Sequence, residues 1–186
     1  MKYLVIGLGN IGDEYAHTRH NIGFDIADFL AQKHKCVFTP DRYADHVQIN
    51  LKGKHIHLIK PNTYMNLSGK AVRYWIEKLK IDTSNIFVLV DDLAIPYGKI
   101  RIRANGSDAG HNGLKNINEC LLTQQYARLR FGIGAEYAKG RQVDFVLSKW
   151  NEDENKLIGN LISKSAEAIE SFVLSGINNT MNQYNK

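Results

Sequence analysis

The sequence predicts an α/β protein, a single domain in which a mixed β-sheet carries helices on both faces. The chain has 186 residues, 44% of them hydrophobic and 23% charged, which is the usual size and composition of one compact domain. Apolar runs of strand length alternate along it with amphipathic segments of helix length. Because some neighbouring strands are hairpin-like, the sheet is not purely parallel.

The first half of the chain contains three predicted strands and two predicted helices. Residues 3–8 form a continuous apolar run that closes on glycines, as in a central strand buried on both faces. Apolar residues recur at helical spacing over 21–34 and again over 68–80. Between these helices, 46–51 and 54–60 read as two strands joined by a short turn.

The second half continues the alternation and ends in a long helix. A buried strand over 85–90 stops at two acids, and a half-buried strand alternates basic and apolar residues over 99–103. A short helix begins near Asn112, and the last strand covers 128–133. Asn151 and the acids after it cap the final helix, and we expect the Asn-rich tail after about residue 176 to be loosely held.

Charge, cysteines and hydropathy limit the class of protein. The net charge of +5 permits an anionic partner without requiring one. Cys36 and Cys120 lie far apart and outside any C-x-x-C pair, so neither a disulfide framework nor a cysteine-rich zinc site is indicated. No apolar run approaches the ~20 residues of a membrane span, and the N-terminal run is too short for a signal peptide. We expect a soluble cytoplasmic protein with no membrane partner.

The turn after the first strand, Gly7-Leu8-Gly9-Asn10-Ile11-Gly12, matches the G-x-G-x-x-G of dinucleotide-binding folds. In those folds a helix begins at the third glycine and meets the pyrophosphate. Here a polar stretch without apolar period, 13–20, intervenes, and no acid closes a second strand to hold a ribose. A dinucleotide-dependent oxidoreductase therefore stays an alternative, and no cofactor is expected.

A histidine and a carboxylate are predicted to meet at one edge of the sheet. Functional groups gather outside the carboxyl ends of strands in open α/β sheets, where both Asn10 and the Asp91-Asp92 pair lie. His20 follows one of these turns, and a carboxylate there would orient its ring and stabilise the imidazolium formed when it takes a proton from water. The alternative is a structural or exposed histidine.

Three short amide side chains stand in glycine-containing turns: Asn10, Asn66 and Asn112. Each has a plain explanation as a helix cap or turn residue. Together they also suit binding of a neutral hydrogen-bonding group such as a peptide backbone. No Gly-x-Ser-x-Gly elbow and no credible set of metal ligands is present, so the chemistry indicated is a base acting on water, with no metal.

Five segments together resemble the bacterial-type peptidyl-tRNA hydrolase family. The resemblance covers nearly the whole chain, strongest up to Gly134, and rests on several motifs in the same order and spacing. The matching segments are Gly7-Leu8-Gly9-Asn10, Thr18-Arg19-His20-Asn21-Ile22-Gly23, Lys60-Pro61-Asn62-Thr63-Tyr64-Met65-Asn66-Leu67-Ser68-Gly69, Val90-Asp91-Asp92-Leu93 and Gly110-His111-Asn112-Gly113-Leu114-Lys115. Three positions depart from the family pattern: Ile11 for a usual proline, Ala109 for a common glycine and Ala94 for a frequent acid.

The resemblance implies a monomeric enzyme that hydrolyses the ester between peptide and tRNA and returns the tRNA to translation. By matching position it implies His20 as general base with Asp91 as partner. It further implies binding of the peptide end and the attacking water by Asn10, Asn66 and Asn112, with Tyr15 and Met65 lining the same cleft. The remaining alternative is a basic module that binds tRNA without cutting it.

Two arginines are proposed to bind tRNA phosphate. Arg101 and Arg130 each lie on a predicted strand where basic and apolar residues alternate, so each basic set shares one face. From the pattern alone, a solvated sheet face is the slightly better explanation. The family resemblance, in which basic residues at these positions bind the 5′ phosphate end, favours the phosphate clamp.

Overall fold

The computed structural model describes residues 1–186 and contains a seven-stranded mixed sheet, in the order β2-β3-β4-β1-β5-β7-β6. Strands β1, β4, β5 and β7 run parallel, whereas β2, β3 and β6 are antiparallel to their neighbours. The strands are β1 (Lys2–Gly7), β2 (Thr39–Asp41), β3 (Ala44–Leu51), β4 (Lys54–Pro61), β5 (Ile86–Asp92), β6 (Ile100–Arg103) and β7 (Ala127–Gly132), and the helices are α1 (Ile22–Lys33), α2 (Ser68–Leu79), α3 (Asn112–Leu121), α4 (Gln142–Val146) and α5 (Glu152–Tyr184).

Helices cover both faces of the sheet, and the side chains of the central strands alternate between two cores. Val5, Phe87 and Leu129 point into the core beneath α1 and α5. Ile6 and Val88 point into the smaller core beneath α2 and α3. Because β1 and β5 are buried on both faces, they read in the sequence as continuous apolar runs. The predicted fold class, one domain with a mixed sheet between helical layers, is confirmed.

The glycines of the first turn allow close packing of α1 on β1. A Cβ at Gly7 would clash with the carbonyl of Gly23 in α1, and one at Gly9 would meet the ring of Phe24 at 2.8 Å. Helix α1 begins at Ile22, ten residues after the third glycine of the motif. The third glycine is followed only by a 3-10 helix of three residues, Asp13–Tyr15, and not by the α-helix on whose N-terminus phosphate binding depends.

Two elements lie outside the predicted set, and both are short and poorly buried. Strand β2 has three exposed residues and contains a proline, so it carries no apolar alternation. Helix α4 spans five residues, none of them buried. Without an apolar period, neither segment has a sequence signal of strand or helix. Helix α4 matters because it forms one wall of the cleft described below.

The final helix begins at a capping box and bends near its end. Asn151 accepts a hydrogen bond from the N–H of Glu154, whose carboxylate accepts one from the N–H of Asn151. Gly176 interrupts the helix with φ 83°. Beyond it, the Asn185 side chain accepts from the Ile102 N–H at 2.7 Å and donates to its carbonyl at 2.9 Å. How loosely this tail is held stays a prediction. No helix of the fold is both long and apolar enough to cross a membrane.

Candidate active site

A cleft of about 450 Å³ opens at the carboxyl ends of β1 and β5. The two strands are parallel neighbours, so the turn after β1 and the acids that end β5 meet at one edge of the sheet. The lining includes seven of the site residues predicted from the sequence: Asn10, His20, Met65, Asn66, Asp91, Asn112 and Arg130. The crevice expected between Asn10 and Asp91 is therefore present.

His20 and Asp91 form a direct hydrogen-bonded pair. The Nδ1 atom of His20 lies 3.0 and 3.1 Å from the two carboxylate oxygens of Asp91. His20 lies in a short 3-10 helix, Arg19–Asn21, just before α1. Asp91 is one of the two buried acids at the end of β5. With side-chain exposures of 14% and 4%, the pair is shielded from water, so its electrostatic interaction is stronger than at the surface.

Burial and pairing shift both pKa values. Burial alone would lower the pKa of His20, but the charge of Asp91 and its hydrogen bond to the ring outweigh burial and raise the pKa above 6.5. Burial would raise the pKa of Asp91, but His20 and His111 hold it well below its ordinary value. Asp91 is therefore a carboxylate at neutral pH, and it favours the protonated form of His20.

His111 is a third member of the site that the sequence interpretation missed. Its Nε2 atom lies 2.9 Å from Asp91 Oδ1, and its ring centre lies 5.0 Å from that of His20. Its Nδ1 atom caps α3, accepting from the N–H groups of Gly113 at 3.1 Å and Leu114 at 3.4 Å. The available signal was a histidine directly before a predicted helix, a position that favours capping side chains.

The cap on α3 determines where the ring protons lie. Because Nδ1 of His111 accepts from backbone N–H groups, its Nε2 carries the proton and donates to Asp91. Ionised Asp91 only accepts, so His20 donates to it from Nδ1. The Nε2 atom of neutral His20 is then unprotonated and available as a base.

Unpaired amide groups surround this base. Asn10 accepts from the Met65 N–H through Oδ1 at 2.9 Å, which leaves its Nδ2 group free to donate. Asn66 and Asn112 line the cleft as exposed residues. Asn21, which the sequence interpretation did not single out, is buried and pairs with the backbone N–H and carbonyl of Asn10 at 2.8 and 2.9 Å. Asn21 therefore fixes the turn that presents Asn10.

Arg19 joins the His20 segment to the α4 wall of the cleft. Its side chain is 7% exposed and donates to the Ser148 hydroxyl, the Lys149 carbonyl and the Glu154 carboxylate. The guanidinium also lies 4.3 Å from the centre of the Phe145 ring. Helix α4 has no fully buried residue, and these contacts, together with the packing of Phe145 and Val146 against the core, attach it beside His20.

The basic residues proposed as a phosphate clamp lie on one side of the cleft. Arg101 and Arg130 are direct partners in the β6–β7 ladder and so share one face of the sheet. Arg101 is exposed. Arg130 lines the cleft but is largely buried, donating to the Ser107 carbonyl at 2.6 Å and lying 3.5 Å from Asp92. Arg128, on the same strand face, is fully buried against backbone carbonyls.

Two further sequence-based predictions concern Tyr15 and a bound metal ion. Tyr15 lies in the short 3-10 helix Asp13–Tyr15 and is not among the residues that line the cleft, so its contact with substrate stays a prediction. His20, Asp91 and His111 present ligand atoms within 4.8 Å of one another, a grouping that a metal ion accepts. Both ring nitrogens that face Asp91 donate hydrogen bonds to it, which explains the cluster without an ion. The absence of a metal also stays a prediction.

The departure at Ala109 has a visible backbone consequence. Ala109 lines the cleft with φ 51°, in the left-handed region, and is followed by Gly110 with φ 79°. An alanine in this region is strained by roughly 1 kcal/mol, whereas glycine adopts it freely. At position 109 the loop therefore adopts a backbone conformation that favours glycine, although this chain has alanine there.

A mixed α/β sheet with a buried imidazole–carboxylate pair in a cleft of free amide groups defines this protein as a single-domain hydrolytic enzyme. The chain belongs to the peptidyl-tRNA hydrolase family, whose sequence model matches residues 4–186. It is 53% identical over 186 residues to a peptidyl-tRNA hydrolase of Phocaeicola vulgatus and 52% identical over 185 residues to one of Porphyromonas gingivalis, with both chains covered completely. The crystal structure of peptidyl-tRNA hydrolase from Acinetobacter baumannii superposes with a TM-score of 0.92 at 34% identity, covering 98% of this chain and 94% of that one.

Proposed function

We propose that this chain hydrolyses the ester bond joining a peptide to tRNA and that His20 activates the attacking water. Membership of the peptidyl-tRNA hydrolase family supports the substrate class. The single observation that carries the chemistry is the hydrogen-bonded set of His20, Asp91 and His111, which leaves the Nε2 atom of His20 free to accept a proton. No cofactor is needed for this reaction.

In the proposed reaction, water attacks the carbonyl carbon of the ester while His20 Nε2 takes one of its protons. Asp91 stabilises the imidazolium so formed. The tetrahedral intermediate collapses with cleavage of the bond to the terminal ribose oxygen, which receives the proton from His20. The products are a peptide with a free carboxylate and a tRNA with a free terminal hydroxyl. The base is regenerated in the neutral form.

The amide groups are proposed to hold the peptide end and the water. Asn10, Asn66 and Asn112 line the cleft with side chains that can both donate and accept, as peptide carbonyls and N–H groups require. Met65 lines the same cleft, and Tyr15 is proposed to approach from the turn after β1. Neutral amides suit a substrate whose side chains vary, because they pair with the backbone only.

Arg101 and Arg130 are proposed to bind the phosphate at the 5′ end of the tRNA. Both lie on the β7 and β6 side of the cleft, and arginine's planar fork matches phosphate oxygens. Exposed Arg101 is the direct contact, and Arg130 supports it while holding Asp92 and the Ser107 loop. We further propose that the protein acts as a monomer in the cytoplasm, where peptidyl-tRNA arises.

The function is tested with N-acetylaminoacyl-tRNA and free aminoacyl-tRNA on the same tRNA. The proposal requires cleavage of the first, which carries a peptide-like amide, and sparing of the second, whose charged amine does not fit the neutral amides. Saturable tRNA binding without release of the acetylated amino acid would instead identify a non-catalytic tRNA-binding protein. Saturable binding of NAD would favour the dinucleotide alternative.

A further inference from the structure

A strip of basic and aromatic side chains runs along α2, and the proposed reaction does not use it. Lys70, Tyr74 and Lys78 recur every four residues and so share one face of the helix. Arg42 and Tyr43, from the turn between β2 and β3, lie against them. We call these five residues the α2 strip. Its cations lie over its rings, with Arg42 5.1 Å from the centre of Tyr43 and 5.3 Å from that of Tyr74, and Lys70 4.9 Å from that of Tyr43.

Two of the three cations of the α2 strip, Arg42 and Lys70, have no carboxylate partner. Lys78 forms a salt bridge of 3.6 Å with Asp41. Arg42 and Lys70 are both exposed and take part in none of the salt bridges of the fold. Two free cations supported by tyrosine rings suit a ligand that offers acidic or aromatic side chains.

The α2 strip is continuous with the cleft. Tyr64 lines the cleft with 62% of its surface exposed and comes just before α2, and Leu67, at the start of the helix, is 48% exposed. On the other side, the Asn62 N–H donates to the Tyr43 carbonyl at 2.9 Å. A ligand that leaves the cleft past Tyr64 therefore meets Lys70 and Tyr43 first.

Sheet order separates the α2 strip from the proposed tRNA phosphate site. The α2 strip lies on the side of β1 that is occupied by β4 and β3. Arg101 lies on the opposite side of β1, at the edge of the sheet, on β6. Adjacent strands are about 4.8 Å apart, so the two spacings from β1 to β3 amount to roughly 10 Å. An extended peptide advances about 3.3 Å per residue and covers this distance in about three residues.

We propose that the α2 strip binds the peptide of the substrate from about its third residue, counted from the ester, and favours acidic and aromatic side chains there. This inference rests on the proposed function, because it assigns the two halves of one substrate to opposite sides of the cleft. The tRNA lies toward β6, and the peptide leaves over α2. Arg42 and Lys70 form the charge contacts, and Tyr43 and Tyr74 contact apolar and aromatic groups.

The test compares a short and a long substrate on the same tRNA. The short one is N-acetylaminoacyl-tRNA, and the long one carries a pentapeptide with aspartate at its third and fourth residues from the ester. Arg42→Glu combined with Lys70→Glu is measured against a matched control, Lys35→Glu combined with Lys52→Glu, two exposed lysines outside the cleft and the α2 strip. The Arg42→Glu, Lys70→Glu variant raises KM for the long substrate by roughly threefold to tenfold, the scale of losing two exposed charge contacts. Its kcat for the long substrate, and its kcat and KM for the short substrate, change less than about twofold. A pentapeptide with lysine at the same positions shows a smaller or reversed effect.

Other outcomes overturn the inference. Equal increases in KM for both substrates, together with weaker binding of deacylated tRNA, would show that the strip binds RNA. An unchanged ratio of long-substrate to short-substrate KM would show that the peptide does not reach it. The proposed function fails separately, if the unaltered protein does not cleave the short substrate at all.

Discussion

The substitution Asp91→Asn probes the hydrogen-bonded site through its proton arrangement. Judged from the sequence alone, it should be milder than His20→Ala, because it keeps the shape and removes only the charge. The structure changes that expectation, because Asp91 accepts hydrogen bonds from both His20 and His111. The α3 cap commits His111 to donating, so an asparagine keeps its oxygen at the Oδ1 position and places its NH₂ group at the Oδ2 position, 3.1 Å from His20 Nδ1. His20 then faces the new NH₂ group, which favours a proton on its Nε2 atom and none on Nδ1.

Two effects set the size of the loss. With 3.0 Å between His20 Nδ1 and Asp91, at an effective dielectric constant of about 20, a full imidazolium–carboxylate attraction is about 5 kcal/mol. If about half of the charge develops in the transition state, roughly 2.5 kcal/mol is lost, or about 10²-fold in kcat. The wrong tautomer adds to this, and a comparable Asp→Asn change in a Ser-His-Asp triad costs about 10⁴. We therefore expect a loss between about 10² and 10⁴.

The assay is single-turnover cleavage of N-acetylaminoacyl-tRNA at saturating enzyme, with Asp91→Asn made both in the unaltered chain and in a His111→Phe background. Without the His111 donor, the asparagine oxygen is free for His20, so Asp91→Asn should cost only the charge part, about 10². Equal costs in the two backgrounds would refute the tautomer argument. Near-normal turnover of Asp91→Asn would remove Asp91 from the mechanism altogether.

Further predictions concern pH, metal, tRNA binding and stability. Only neutral His20 accepts a proton, and its pKa is raised above 6.5, so kcat/KM should rise with pH through a midpoint above that value. Asp91→Asn should lower this midpoint, and a midpoint that it leaves unchanged would contradict the pairing of His20 with Asp91. Turnover of a peptidyl-adenosine ester should survive EDTA, and activity lost to EDTA and restored by zinc would identify a metal site. Arg101→Ala should raise KM for full-length peptidyl-tRNA and lower the salt dependence of binding by about one phosphate contact, without affecting the peptidyl-adenosine ester. Arg130→Ala should affect both substrates, because Arg130 also holds Asp92. An unchanged salt dependence would show that Arg101 is an ordinary surface charge. Arg19→Lys should lower the free energy of unfolding, measured by denaturant titration, by about 1–3 kcal/mol. The control Arg73→Lys, at an exposed arginine, should lower it by less than about 0.5 kcal/mol. Equal losses would contradict the role of Arg19 in attaching α4.

The fold followed from the sequence wherever burial gave a segment a regular pattern. The strand that ends at Asp91 and Asp92 was recognisable because it is buried on both faces, and its parallel neighbour β1 placed Asn10 beside it. The encounter of His20 with Asp91 was predicted from the same rule, that polar groups gather at the carboxyl edge of the sheet.

What the sequence did not predict depends on contacts distant along the chain. His111 reads as a turn or cap residue, and only the packing of α3 beside β5 brings its second nitrogen to Asp91. Arg19 reads as the neighbour of His20, whereas its partners lie about 130 residues later, in a segment with no apolar period. Local pattern carries no information about such pairs.

The central claim is that His20 is the base that activates water, and turnover of His20→Ala tests it most directly. Single-turnover cleavage of N-acetylaminoacyl-tRNA by a folded His20→Ala protein should fall by about 10²-fold or more, while affinity for the tRNA changes less than about threefold. Folding is checked by an unfolding midpoint close to that of the unaltered protein. Cleavage within about threefold of the unaltered rate in such a protein would contradict the claim, because the water would then be activated by another group.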